Sequence, residues 1–129
     1  MTPPPVDLAM ARADEALDEA RQLRALGHLA AAANRAYFAV FYASLALLSS
    51  VGLEPKSHDG VRRLVNLHFV RAGKLPPETS RVLGQLEQLR NDADYDLTAV
   101  FTDQGVDESV AQATSLVGDV RALLVRAPQ

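Results

Sequence analysis

The sequence predicts an all-α fold, an up-and-down bundle of about five helices in a single domain. Three observations carry this. Val106, Val110, Ala113, Val117, Val120 and Leu124 recur at alternating spacings of four and three near the C-terminus, the period of a bundle seam. The stretch from Ala25 to Leu53 carries one formal charge, Arg35, and a helix apolar nearly all round belongs at the centre of a bundle or at a subunit interface. Of the 129 residues, 48% are hydrophobic but only 5% aromatic, a mix rich in Ala and Leu that favours helix packing over a sheet.

The elements follow in order. The first helix begins after Pro3, Pro4 and Pro5, with Asp7 as N-cap, and runs to about Leu26, where Gly27 ends it. Met10, Ala13, Leu17, Ala20 and Leu23 form its apolar stripe. Asp14, Glu15, Asp18 and Glu19 read as its solvated face. The second helix spans roughly His28 to Ser50 and ends at Gly52 and Pro55. The third, about Asp59 to Ala72, turns Val61, Leu64, Val65, His68 and Phe69 inward and Arg62, Arg63 and Asn66 outward, capped by Ser57 or Asp59. Gly73 closes it, and Pro76 and Pro77 suit the first turn of the fourth. That helix carries Val82, Leu86, Leu89 and Ala93 as its stripe and ends near Asp94. A loop from Asp96 to about Thr102 leads to the last helix, with Phe101 expected as a plug under the bundle. The expected organisation is a disordered Pro-rich N-terminus at 1–6, one helical domain at 7–126 and a tail at 127–129.

Composition also excludes functions. A net charge of −3 counts against a broad nucleic-acid surface, although Arg62, Arg63, His68, Arg71 and Lys74 form a local basic patch. There is no Cys, and His28, His58 and His68 lack metal-ligand spacing, so neither a metal site nor a cofactor is expected. No Gly-rich phosphate loop, EF-hand or nucleophile elbow occurs. Ala36 to Leu53 reaches the threshold length of a membrane span. Tyr37, Tyr42, Ser44, Ser49 and Ser50 within it, and the lack of a basic cluster after it, favour a core helix instead. The N-terminus lacks the basic region and apolar run of a signal peptide, so a cytoplasmic protein is expected.

The chemistry-bearing residues are few. Arg90 and Asp94 are four apart and share a helix face beside the buried seam. Asn34 and Arg35 have a similar setting, and a guanidinium there costs several kcal/mol unless it is paired. Antiparallel packing of the second and fourth helices would gather these groups into one polar pocket, either a structural lock or an anion site. His58, within Lys56-Ser57-His58-Asp59-Gly60, lies at a helix start, where free N–H groups favour anions.

Asn34 to Tyr42, Lys56 to Gly60, Phe69 to Leu75 and Arg90 to Tyr95, in that order, resemble the HEPN family, in particular a small prokaryotic branch with an R-x-x-A-D-Y signature. The resemblance implies a helical bundle, usually dimeric, and commonly encoded beside a minimal nucleotidyltransferase in toxin–antitoxin or related two-gene systems. Many members are metal-independent endoribonucleases in which an Arg holds the scissile phosphate and a His, separated from it by four to six residues, assists proton transfer. Here Tyr95 stands where that His would fall, and no His follows His68. The leading expectation is therefore a homodimeric partner of a nucleotidyltransferase with a pocket for nucleotide or RNA phosphate. Arg90, Asp94, Tyr95, Asn34 and Arg35 would line it, with His58 and Lys56 near its mouth. Two alternatives stand beside it: a ribonuclease toxin using Arg90 with His58 or Tyr95, and a purely structural dimer locked by Arg35, Arg90 and Asp94. Whether the protein is an enzyme stays open among them.

Overall fold

The computed structural model describes residues 5–126. The expected tail, and the N-terminal segment before Pro5, lie outside that range. Five α-helices occur among the described residues: α1 (Val6–Ala25), α2 (Leu29–Ser50), α3 (His58–Val65), α4 (Thr79–Tyr95) and α5 (Asp103–Arg126). α3 continues into a π-helical turn at Asn66–Val70.

α1 starts one residue before Asp7, without a side-chain cap. Pro5, at φ −58° and ψ 137°, sets the approach, and its carbonyl accepts from Ala9 N–H at 3.0 Å. Asp7 thus lies inside the first turn, where its charge still meets the positive end of the helix dipole. At the other end Gly27, at φ +82°, allows the reversal that lets His28 N–H reach Leu23 O at 2.9 Å, a Schellman closure.

α2 is the central helix and packs on α1, α4 and α5. By length and composition it would span a membrane, yet 61% of its apolar window is buried within the bundle, as befits a core helix. α1 and α2 both bury alanines, including Ala13, Ala20, Ala36, Ala39 and Ala43 at 0% exposure. Side chains this small let two helix axes approach closely.

α5 runs antiparallel to α1. Arg24 Nε donates to Asp107 at 2.7 Å and Arg21 Nη2 to Thr114 at 3.1 Å, while Arg121 bonds Asp14 nearer the start of α1. The acidic face of α1 is therefore not simply solvated. Asp14 pairs with α5, and Glu19 pairs with Arg35 of α2. Such exposed pairs contribute at most about 1 kcal/mol each, so they orient α5 more than they hold it.

Ser57 caps α3, accepting from Gly60 N–H at 2.9 Å. The wide turn that follows keeps Val61, Val65 and Phe69, each four apart, buried on one side. His68, expected on that apolar face, is exposed instead. One extra residue per turn rotates it outward.

In α4, Val82, Leu83 and Leu86 are buried, and Leu89 and Ala93 half-buried. α4 leans on α2 and touches α5 only sparingly. Between α4 and α5 lies a cleft of about 340 Å³ whose walls include Gln85, Leu89, Phe101 and Ser109. Phe101 lines this side cleft and is half-buried, so it does not plug the base of the bundle.

Candidate functional site

Helical spacing arranges the site. On α2, Asn34, Tyr37, Phe38 and Phe41 recur three and four apart, and on α4 so do Glu87, Arg90 and Asp94. The two helices run antiparallel, since Asn34 meets Asp94 while Tyr37 meets Glu87. The N-terminus of α3 brings His58 against the same stretch of α2.

The upper half of the site is a chain of charges. Asn34 Nδ2 donates to both Asp94 carboxylate oxygens, at 3.0 and 3.3 Å. Its own Oδ1 accepts from Arg35 Nε and Nη2 at 3.1 and 3.0 Å. Arg35 also pairs with Glu19 at 3.4 Å. Arg90 Nε lies 3.0 Å from Asp94 Oδ2. That N–H is buried and not aimed at an acceptor, so the contact is an ion pair without an aligned hydrogen bond. The Arg90 guanidinium sits 5.3 Å from the Phe38 ring centre and 5.7 Å from that of Tyr37, while Arg35 approaches Phe38 at 4.9 Å. Cations on ring faces gain from the ring quadrupole.

The lower half is a chain of hydrogen bonds. The Tyr37 hydroxyl is 2.6 Å from His58 Nδ1 and 3.3 Å from Glu87 Oε2. Glu87 Oε1 accepts from Arg62 Nη1 at 3.1 Å, and Arg62 also reaches Asp59 at 3.1 Å. The His58 ring stacks on Phe41, with centres 4.2 Å apart and planes at 15°.

Tyr37 is 3% exposed. Burial, and then the Glu87 carboxylate facing it, push its phenol well above the ordinary value of 10.0. A phenol that keeps its proton in the folded state but loses it in the unfolded chain adds stability below the unfolded value. That stability is lost as pH rises toward the folded value. Between about pH 9 and about pH 11, wild type should therefore lose stability to urea more steeply than Tyr37→Phe. Parallel curves for the two proteins would show that Tyr37 ionises as in the unfolded chain.

Of the residues singled out in the sequence, the structure brings Arg90, Asp94, Asn34 and Arg35 into one network, and His58 joins it through Tyr37. Tyr95 and Lys56 stand outside it. Tyr95 is 75% exposed at the end of α4, turned about 100° from Asp94 by the helical step. Lys56 is exposed in the α2–α3 connection, just before the Ser57 cap. Tyr37, Glu87 and Glu19 are site members that sequence reasoning missed. For Glu87 a signal existed, since it shares a face with Arg90 and Asp94.

Arg62 and Arg63 line a separate cleft of about 370 Å³ with Arg81, Asn66, Ser80 and Gly84. Asp59 pairs with both Arg62 and Arg63 there, and Glu87 with Arg62, so these two cations of the basic patch face carboxylates. Among the described residues no three His, Cys, Asp or Glu side chains are placed to hold a metal ion.

Known proteins resemble this chain in sequence. A UPF0332 protein of Thermotoga maritima is 32% identical over 113 residues, covering 88% of this chain and 86% of its own. A UPF0332 protein of Gloeobacter violaceus is 40% identical over 95 residues, covering 74% and 75%. A Methanocaldococcus jannaschii protein named "Putative toxin" is 32% identical over 90 residues, covering 70% and 66%. The model of the HEPN domain matches residues 6–123, from the first turn of α1 into the last turns of α5, and the chain belongs to the HEPN domain family.

Proposed function

We propose that the protein is the HEPN component of a toxin–antitoxin-type two-gene system, a cytoplasmic homodimer paired with a minimal nucleotidyltransferase, and that its α2–α4 site binds RNA through phosphate. The toxin role is supported by family membership and by relatives with toxin in their names. The dimer and the partner rest on the family resemblance. For the dimer there is also the half-exposed pair of Tyr42 and Leu45 on the central helix.

One observation carries the RNA reading. The Arg90 guanidinium, 19% exposed, lies over the Tyr37 ring and the half-exposed Phe38 ring, and the Phe41 ring and His58 imidazole pack against those same two rings. Cation and ring faces together suit a phosphate and the base attached to it. In filter binding with single-stranded RNA, wild type should bind more weakly as salt rises. Arg90→Met should weaken binding roughly tenfold or more, since it removes a charged contact to phosphate. Equal binding by the two proteins would sink the reading.

A second reading is favoured by charge balance. Arg35 and Arg90 face Glu19 and Asp94, a closed set that would serve as a structural lock. On that reading Arg90→Met lowers stability and wild type shows no RNA binding.

A further inference from the structure

We infer that the groove between α4 and α5 is the docking site for a basic, amphipathic helix of a partner protein. α4 and α5 both pack on α2 but barely meet each other, so the space between them stays uncovered. The cleft of about 340 Å³ runs to Gln112, where a second cleft of about 230 Å³ takes over and reaches Asp119 past Leu116. From Gly105 to Asp119 the groove follows α5 for about 21 Å, the length of a helix of about four turns.

The groove is built to take apolar side chains. Leu89 and Phe101 are half-buried along it, over the buried Leu86, Val106 and Leu116. At its lower end the loop between α4 and α5 holds Val100, 87% exposed, and Leu97, 99% exposed. One exposed apolar side chain is ordinary, but two in a short loop beside a groove mark an interaction surface. A helix that docks in a groove inserts apolar residues spaced three and four apart.

Charge selects the kind of helix. Between Arg90 and Arg121 the chain has seven carboxylates and no Lys, Arg or His. Asp94 is engaged by Arg90, and Asp103 and Asp107 by Arg24. The side chains of Asp92, Asp96 and Glu108 are bonded by Gln88, Thr98 and Gln104, all neutral. That of Asp119 has no partner among the described residues. Glu108, Gln112, Ser115 and Asp119 recur four, three and four apart, so they form one edge of the groove with a carboxylate near each end. On the α4 edge Arg81 donates to Gln85, and Glu78 offsets its charge. A partner helix with Lys or Arg about three turns apart on the side facing α5 meets both carboxylates.

A two-fold contact with a second copy of this chain does not suit the groove. It would set the patch against itself and so oppose acid to acid. The groove shares no residue with the α2–α4 site, and the inference needs neither the RNA reading nor the nucleotidyltransferase.

The test uses the full-length protein and three synthetic helical peptides of about four turns. The first has Leu at helical spacing with Lys on both sides of the stripe. The second has Ser for each Leu, and the third Glu for each Lys. Fluorescence anisotropy measures affinity, and amide NMR shifts locate the peptide. The first peptide should bind roughly tenfold or more tightly than either of the others. It should weaken as salt rises and shift amides within 82–89 and 97–119. Leu97→Ser combined with Val100→Ser should weaken it roughly tenfold. Glu108→Lys combined with Asp119→Lys should reverse the preference toward the third peptide, a gain that an unfolded variant does not show.

No binding of the first peptide overturns the inference. Equal binding of the first and second, shifts that fall on α1, or an unreversed preference in the charge variant does the same. So does self-association of wild type that is lost in Leu97→Ser with Val100→Ser, since a second copy then holds the groove.

Discussion

Leu47→Ala is expected to cost the protein about 2–5 kcal/mol of folding stability. Leu47 is 2% exposed on α2, the helix on which α1, α4 and α5 all pack. The cavity would open in the middle of the bundle, where three neighbours must shift to fill it. The alanine-rich surface of α1 holds few long side chains able to move in. Urea unfolding should show a lower midpoint with an unchanged slope. A loss below about 1 kcal/mol would mean that α2 is not enclosed as described.

If the α2–α4 site binds RNA as proposed, Arg90→Ala is expected to weaken that binding roughly tenfold or more, because it removes a charged contact to phosphate. Arg90→Lys should restore little, because an ammonium reproduces neither the planar fork nor the stacking on Phe38 and Tyr37. Stability should fall only modestly, by about 1 kcal/mol, because the pair with Asp94 is partly solvated and lies within one helix. Filter binding and urea midpoints on the same preparations check both statements. Binding that persists in Arg90→Ala would remove Arg90 from the RNA site, whereas a large loss of stability would favour the lock.

Periodicity made the bundle legible. The seam of α5, the glycine stop after α1 and the enclosed character of α2 follow from residues within a few turns of one another. The pairing of Arg90 with Asp94 was equally local. The meeting of Asn34 with Asp94 required one further assumption, an antiparallel α2–α4 pair.

Other features depended on longer reach. The bond of His58 to Tyr37 spans 21 positions and that of Tyr37 to Glu87 spans 50, and no spacing rule announces either. In a run as apolar as Ala36–Tyr42, Tyr37 reads as another core aromatic until its hydroxyl is placed. His68 was misplaced because a π turn changes the period on which the expectation rested. The start of α1 was set by Pro5, while Asp7 had the better side chain for a cap.

The way α4 is held has a thermodynamic consequence. It rests on α2 and on the short α3 unit, and the cleft beside α5 leaves one flank with few neighbours. The free energy of unfolding is not spread evenly over such a bundle, because segments with fewer buried contacts open in excursions smaller than global unfolding. α4 is held chiefly by its face on α2, so its own opening depends on that one interface more than on α5. Arg90, Asp94 and Glu87 all ride on α4. The site thus spans the α2–α4 interface, and a ligand that bridges the two helices would raise the local stability of α4 through its own binding energy.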